Sequence, residues 1–249
     1  MIRGLVFDIN GTTTDILTDE GYDDMYRVLG NFLDYQGIAL RPEEIRRLYF
    51  EGNQRQRQER RQSGEAFPEF DVVALFREIV ERFGSDYTRS LPEEKRRVLP
   101  GILAEVFRAA SRFRLEPYPD VHRVLDELRQ EYRLAALSDG QGVWGIPELR
   151  SVGLANYFDP VIISSDLGFR KPDRRMFELA LEKLQLAADE VIFIGNDMRR
   201  DVLGAKQADI KTVFFKSNQG EQRSQGAEPD YIIHRFAELP SAVRFLARQ

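Results

Sequence analysis

The chain contains no cysteine, which excludes disulfides, thiolate zinc sites and cysteine nucleophiles together. Histidine is scarce: there are 2, His122 and His234, too far apart in the chain to match a zinc-ligand spacing. No apolar run approaches the roughly 18 residues of a membrane span. The opening Ile2-Arg3-Gly4-Leu5-Val6-Phe7 is a short apolar run broken by a charge. It lacks the length and layout of a secretory signal, so a cytoplasmic location is expected. An excess of positive charge is also missing: 41 acidic against 36 basic residues give a net charge of -5, which argues against general nucleic-acid binding. No internal repeat is visible.

What remains is an ordinary globular composition, 42% hydrophobic and 31% charged over 249 residues. That length suits a large domain with a smaller one inserted into it. Leu5-Val6-Phe7, followed at once by Asp8, Asn10 and Gly11, reads as a buried strand ending in a polar turn. Over residues 19–113 the spacing becomes helical. Tyr22, Met25, Tyr26, Leu29, Phe32 and Leu33 share one face; Val72, Phe76, Ile79, Val80 and Phe83 share a second; Val98, Ile102, Val106 and Ala110 form a third. The stretch contains no convincing strand and reads as all-helical, with Pro68, Pro92 and Pro100 near its breaks.

Beyond Pro117 and Pro119 short apolar runs alternate with helical segments, the signature of a parallel sheet covered by helices. A helix around Val121, Leu125 and Leu128 precedes the strand 134–137, and Val161-Ile162-Ile163 follows a further helical segment. The helix 176–184 leads to Val191-Ile192-Phe193-Ile194. Later strands are expected at 212–215 and 231–233, with a closing helix near 241–247. The polar stretch 217–229 reads as a surface loop. The expected fold class is therefore α/β: a doubly wound, Rossmann-like parallel sheet made by residues 1–18 and 114–249, with residues 19–113 inserted as a helical domain.

Ligands of open parallel sheets bind outside the carboxyl ends of the strands, and the residues placed there are unusually polar. Asp8, Asn10, Gly11 and Thr12 follow the first strand; Ser138, Asp139 and Gly140 the second; Ser164, Ser165 and Asp166 the third; Gly195, Asn196 and Asp197 the fourth. Lys171 comes shortly after the third group. Taken singly, each has a bland role: a strand-end Asp caps or turns, Ser138 is a turn serine, Lys171 a surface lysine.

Together, Asp8-Ile9-Asn10-Gly11-Thr12, Ser138, Lys171-Pro172 and Gly195-Asn196-Asp197 with Asp201 resemble the ordered motifs of the haloacid dehalogenase superfamily. The resemblance covers residues 1–14 and 117–215, and the helical insert corresponds to that family's cap. It implies phosphate monoester hydrolysis through an aspartyl-phosphate on Asp8, with a small phosphorylated metabolite as substrate. It also implies Mg²⁺ held by the Asp8 carboxylate, the Asn10 carbonyl and an acid after the fourth strand. Lys171 would neutralise the same charge, and the hydroxyls of Thr12 and Ser138, with backbone N–H groups at Gly11 and Asp139, would hold the phosphoryl oxygens.

Two positions depart from the family pattern. Its members usually carry Asp directly after the Gly of the last motif, where this chain has Asn196; Asp197 is the favoured charged ligand, with Asn196 competing or additional. Asp201 is placed either at the metal or at the positive end of the following helix. At Asn10 the family's phosphatases carry an acid that protonates the leaving oxygen and activates water, which an amide cannot do. This departure motivates a rival reading, a member that binds a phosphorylated metabolite or a protein without turnover. A second rival is a metal-independent 2-haloacid dehalogenase, against which Asp197 and Asp201 stand. Trp144 either lines the pocket or packs under the cap. The run Arg55-Gln56-Arg57-Gln58-Glu59-Arg60-Arg61 reads as a solvated helix face in preference to an anion site.

Overall fold

The computed structural model describes residues 1–223 and 226–249. A six-stranded parallel sheet runs in the order β5-β4-β1-β6-β7-β8. Its strands are β1 Gly4–Phe7, β4 Arg133–Ser138, β5 Val161–Ile163, β6 Val191–Gly195, β7 Lys211–Phe215 and β8 Tyr231–Ile233. Each apolar run expected after Pro119 is found as a strand. The period of two along a strand explains both layers. Leu5, Phe7, Leu134, Ala136, Ile192 and Ile194 face a core completed by helices α6 Val121–Leu128 and α10 Leu239–Leu246. Val6, Ala135, Leu137, Val191 and Phe193 face the opposite core, against α8 Arg174–Leu184 and α9 Gly204–Gln207. β1 pairs with β4 on one side and β6 on the other. The chain winds outward from these central strands in opposite directions, so the crevice at their carboxyl ends is the switch point where such sheets bind ligands.

Residues 19–113 supply α1 Asp23–Tyr35, α2 Pro42–Gln62, α3 Val72–Phe83, α4 Asp86–Ser90 and α5 Glu93–Ser111. They enclose a separate core in which Tyr49 stacks on Phe107 with centroids 4.3 Å apart. Trp144, on α7 Gly142–Ser151 of the sheet unit, stacks beneath Phe107 and donates Nε1–H to the Ala104 carbonyl at 2.7 Å.

Three sequence readings are revised. Both crossings into the helical segment pass through an antiparallel ribbon of β2 Thr14–Thr18 and β3 Arg112–Pro117, so a strand occupies the end of a stretch that reads as all-helical. Pro100 does not break a helix; it lies inside α5. The buried face of α5 is Leu99, Leu103, Ala104 and Phe107, while Val98 and Ile102 are exposed. Two apolar rows lie side by side on that helix, and a shift of one position turns the face by about 100°. The expected loop 217–229 includes residues 224 and 225, which lie outside the described residues. Its neighbouring part is tied down, with Gln219 Nε2 donating to the Ile16 carbonyl at 3.0 Å.

Candidate active site

The first strand delivers Asp8 into a tight turn. The N–H groups of Thr12, Thr13 and Thr14 all converge on the Ile9 carbonyl, at 3.2, 2.8 and 3.0 Å. Gly11 takes φ +87°, and a Cβ there would stand 2.3 Å from Asn196 Nδ2. Only glycine fits both the left-handed backbone and the close approach of the fourth motif.

At the centre lies a buried charge relay. Lys171 Nζ, 2% exposed, donates to Asp8 Oδ1 at 2.6 Å and to Asp201 Oδ1 at 2.7 Å. Burial pulls the lysine's pKa down, but the carboxylates of Asp201, Asp8 and Asp139 overcome it and hold the pKa above its ordinary value. The ammonium therefore persists. Burial pushes Asp201 up to about 6 against the pull of Lys171, with Asp8's charge adding to the rise. The other Asp201 oxygen accepts the backbone N–H groups of Asn196 and Asp197, both at 3.0 Å. Asp201 thus ties the fourth motif to Lys171, with both of its oxygens engaged.

The remaining residues divide by direction. Thr12 Oγ1 lies 3.2 Å from Asp8 Oδ2 and 3.0 Å from Asn196 Oδ1, so the Asp8 carboxylate and the Asn196 amide oxygen meet at one hydroxyl. Asn196 Nδ2 is buried and has no partner among the described residues. Asp197, the expected charged ligand, points elsewhere. Its Oδ1 accepts from the Arg199 and Arg200 N–H groups at 3.0 and 2.7 Å, and its Oδ2 from Arg200 Nε at 2.9 Å and Glu221 N–H at 3.1 Å. Burial alone would raise its pKa; the backbone and guanidinium of Arg200 hold it below the usual carboxylate range. It caps the wide π-type turn Met198–Leu203, a feature often found at functional sites.

Asp139 Oδ1 accepts the Lys171 N–H at 3.0 Å, whereas its buried Oδ2 has no hydrogen bond among the described residues and lies 3.8 Å from Arg200 Nη1. Burial raises its pKa. Asn10 Oδ1 accepts the Thr14 hydroxyl at 3.2 Å. Ser138 and Asn10 line a cavity of about 300 Å³ together with Asp139, Gly140, Gln141, Arg170 and Arg200. The helical segment closes it with Glu20, Arg57, Glu69, Phe70 and Arg108, and Trp144 both lines it and packs under α5.

Ser164 and Ser165 support the second motif, accepting from Gly140 and Gly142 N–H at 2.9 Å each. His122 lies beside Tyr157, and neither histidine joins the site. Sequence reasoning missed Arg200, which joins Asp197 to Asp139; the signal was its position one turn after Asp197. It also missed Gln141, whose amide accepts from Val72 N–H and donates to the Phe70 carbonyl, both at 2.9 Å.

The sheet and its lysine-bridged aspartates at the switch point define a Rossmann-like α/β protein with a polar, charged site. The sequence profile described as haloacid dehalogenase-like hydrolase matches residues 2–209. The chain belongs to that family of enzymes. It is 31% identical over 191 residues to a glyceraldehyde 3-phosphate phosphatase of Methanopyrus kandleri, covering 72% of this chain and 82% of that protein. It is 35% identical over 166 residues to a phosphoserine phosphatase of Thermus thermophilus, covering 66% and 64%. Among solved structures, a 2-haloacid dehalogenase from Pseudomonas syringae pv. Tomato superposes with TM-score 0.68 at 22% identity, covering 98% of this chain and 99% of that one. A HAD phosphatase from Thermococcus onnurineus superposes with TM-score 0.59 at 22% identity, covering 97% and 98%. At that identity the two structures speak for the fold alone. Among the described residues no helix is long and apolar enough to cross a membrane.

Proposed function

We propose that this chain is a cytoplasmic phosphohydrolase that cleaves small phosphate monoesters, with Asp8 as the nucleophile and residues 19–113 as the cap that selects the substrate. The observation that carries the reading is the Lys171 bridge, because a carboxylate can approach a phosphoryl group only where cations offset their mutual repulsion. One Asp8 oxygen attacks phosphorus, the ester oxygen leaves with its electron pair and takes a proton from solvent, and an aspartyl-phosphate remains. Water then attacks that phosphorus, releasing a proton to solvent, and Asp8 leaves as carboxylate. Lys171 holds Asp8 and offsets its charge throughout, while the Thr12 and Ser138 hydroxyls are donors for the phosphoryl oxygens.

The donor set fits Mg²⁺ of the kind completed by substrate. Asp8, Asp139, Asp197 and Asp201 surround Lys171 and Arg200, so acids outnumber bases before a phosphate arrives. Asp8 and Asn196 present oxygens to the same hydroxyl, and among the described residues no three His, Cys, Asp or Glu side chains are placed to hold a metal ion by themselves. Mg²⁺ accepts one or two carboxylates with substrate phosphate and water. Asp8, the Asn196 amide oxygen and the Asn10 carbonyl would hold it; Asp197 is otherwise engaged. Bound there, the ion would supply positive charge to the phosphoryl oxygens.

The phosphatase names of the two sequence relatives support this reading over a dehalogenase or a silent binding protein. Measuring phosphate release from a panel of phosphorylated metabolites, with and without Mg²⁺, tests it. Release that disappears in Asp8→Asn is expected; a panel left wholly uncleaved, or cleavage surviving that change, sinks it.

A further inference from the structure

The cavity walls carry charges that the reaction at Asp8 does not use. Glu148 is held bidentately by Arg108 at 2.7 and 3.1 Å, and Glu20 accepts the Tyr49 hydroxyl at 2.9 Å. Glu69, 2% exposed, accepts from Arg57 Nη2 at 2.8 Å, Phe70 N–H at 3.0 Å and Ser164 Oγ at 2.9 Å. Arg200 is committed to Asp197. Arg170 differs: among the described residues no carboxylate oxygen lies within 4.0 Å of its guanidinium. Arg57 is only half satisfied. Glu69 fixes its Nη2 and the Phe70 ring lies 5.2 Å from its Cζ, yet its buried Nε has no partner among the described residues.

A guanidinium carries its N–H donors in a rigid fork suited to planar or tetrahedral oxyanions. Both forks line the cavity, Arg170 from the sheet unit without an ion pair among the described residues and Arg57 from the helical segment with a buried donor unmatched among them. Burial lowers the Arg57 pKa, Glu69 opposes this, and the neighbouring charge of Arg170 adds to the fall. An anion between them would relieve both the repulsion and the unmatched donor. The arginine run of α2 is therefore not wholly a solvated face: Arg57 turns inward with its side chain 21% exposed.

We propose that Arg57 and Arg170 form a second anion subsite, so that the substrate is a small phosphate monoester bearing another acidic group, a carboxylate or a second phosphate. The inference rests on the phosphohydrolase reading and deepens it. The reacting phosphoryl belongs beside Asn10 and Ser138, which line the same cavity. At about 300 Å³ that cavity is at the lower end of the roughly 300–1,000 Å³ of ligand pockets, which leaves room for a short carbon chain between the two acids.

Arg170→Gln is the cleaner variant, since no ion pair is broken. Arg57→Lys keeps a cation beside buried Glu69 while removing the fork. With Mg²⁺ present, kcat/KM for 3-phosphoglycerate and for 1,3-propanediol bisphosphate would each be divided by kcat/KM for glycerol 3-phosphate. At least one ratio should exceed one in the wild-type enzyme and fall about 10- to 100-fold in both variants, the value of one or two charge-assisted bonds. The two arms show which acid the pair takes. Wild-type ratios at or below one, or ratios untouched by the substitutions, overturn the subsite. If the wild-type enzyme cleaves no monoester, the phosphohydrolase reading fails by itself, and calorimetry decides the subsite. Phosphonoacetate binding more tightly than methylphosphonate, with the preference lost in Arg170→Gln, supports it; equal binding overturns it.

Discussion

Asn10 and Asn196 are the two residues that set this site's chemistry apart. An amide at position 10 can neither protonate a departing alkoxide nor take a proton from water. Positioned acid–base catalysis contributes about 10²- to 10⁴-fold, so Asn10→Asp should raise turnover of an alkyl phosphate by roughly that range, and of an aryl phosphate by less. Because Asn10 precedes Gly11, the mass of that peptide must be followed alongside the kinetics, since deamidation makes the same substitution. An unchanged alkyl rate in the Asp variant would mean that another group moves the proton. At Asn196 the sequence shows two adjacent candidates but not where each points. The free N–H groups of Arg199 and Arg200 claim Asp197 as a cap and leave Asn196 facing Thr12. Asn196→Asp should then tighten Mg²⁺ about tenfold or more in a calorimetric titration without substrate, by adding charge to a hard-cation site. Equal affinity would show that the ion is held elsewhere.

The elements that carry the motifs were legible because each central strand is an apolar run that ends abruptly in polar residues. The ribbon of β2 and β3 was not. β3 does alternate, as Arg112-Phe113-Arg114-Leu115-Glu116-Pro117, but the run is short and directly continues a long helical pattern. Leu17 and Phe113 are about half exposed, at 50% and 54%, so no buried apolar face marks the ribbon. Arg57 was hidden for the opposite reason: its neighbours Arg55 and Arg61 are exposed, and nothing in a uniformly polar run distinguishes the residues that turn inward. The helix that follows Lys171 gives a test at this scale. Asp173 caps α8, accepting from Arg175 N–H at 3.0 Å and from the Arg175 guanidinium at 3.0 and 2.7 Å. Burial alone would raise its pKa, but these bonds hold it below the ordinary value. A depressed folded-state pKa gives stability that is present above the unfolded value of roughly 3.9. It is lost as pH falls through the lower folded value. Asp173→Asn should lower Tm at neutral pH by an amount equivalent to about 1 kcal/mol, with the difference shrinking below about pH 4. A difference that is constant with pH would contradict the ion pair.

At the scale of the molecule, the helical segment is fastened over the sheet. Glu69 N–H donates to the Gly168 carbonyl at 2.9 Å, Arg170 N–H donates to the Phe67 carbonyl at 3.0 Å, and Pro68 and Phe169 form an antiparallel bridge. Asp8 is 6% exposed, so parting of this seam is the expected route by which substrate reaches it. A chain without cysteine offers a clean probe. In Pro68→Cys/Phe169→Cys the bridged positions lie within disulfide reach, and oxidation should slow steady-state turnover at least about tenfold, with reduction restoring it. Equal rates in both redox states would show that the segment need not move. The covalent step itself is the most direct point of attack. Substrate mixed with excess enzyme, quenched in acid within one turnover and digested, should yield the peptide containing Asp8 heavier by one phosphoryl group, and Asp8→Asn should yield none. Product formed at the wild-type rate with no phosphoryl on Asp8 at any quench time would contradict nucleophilic attack by this residue.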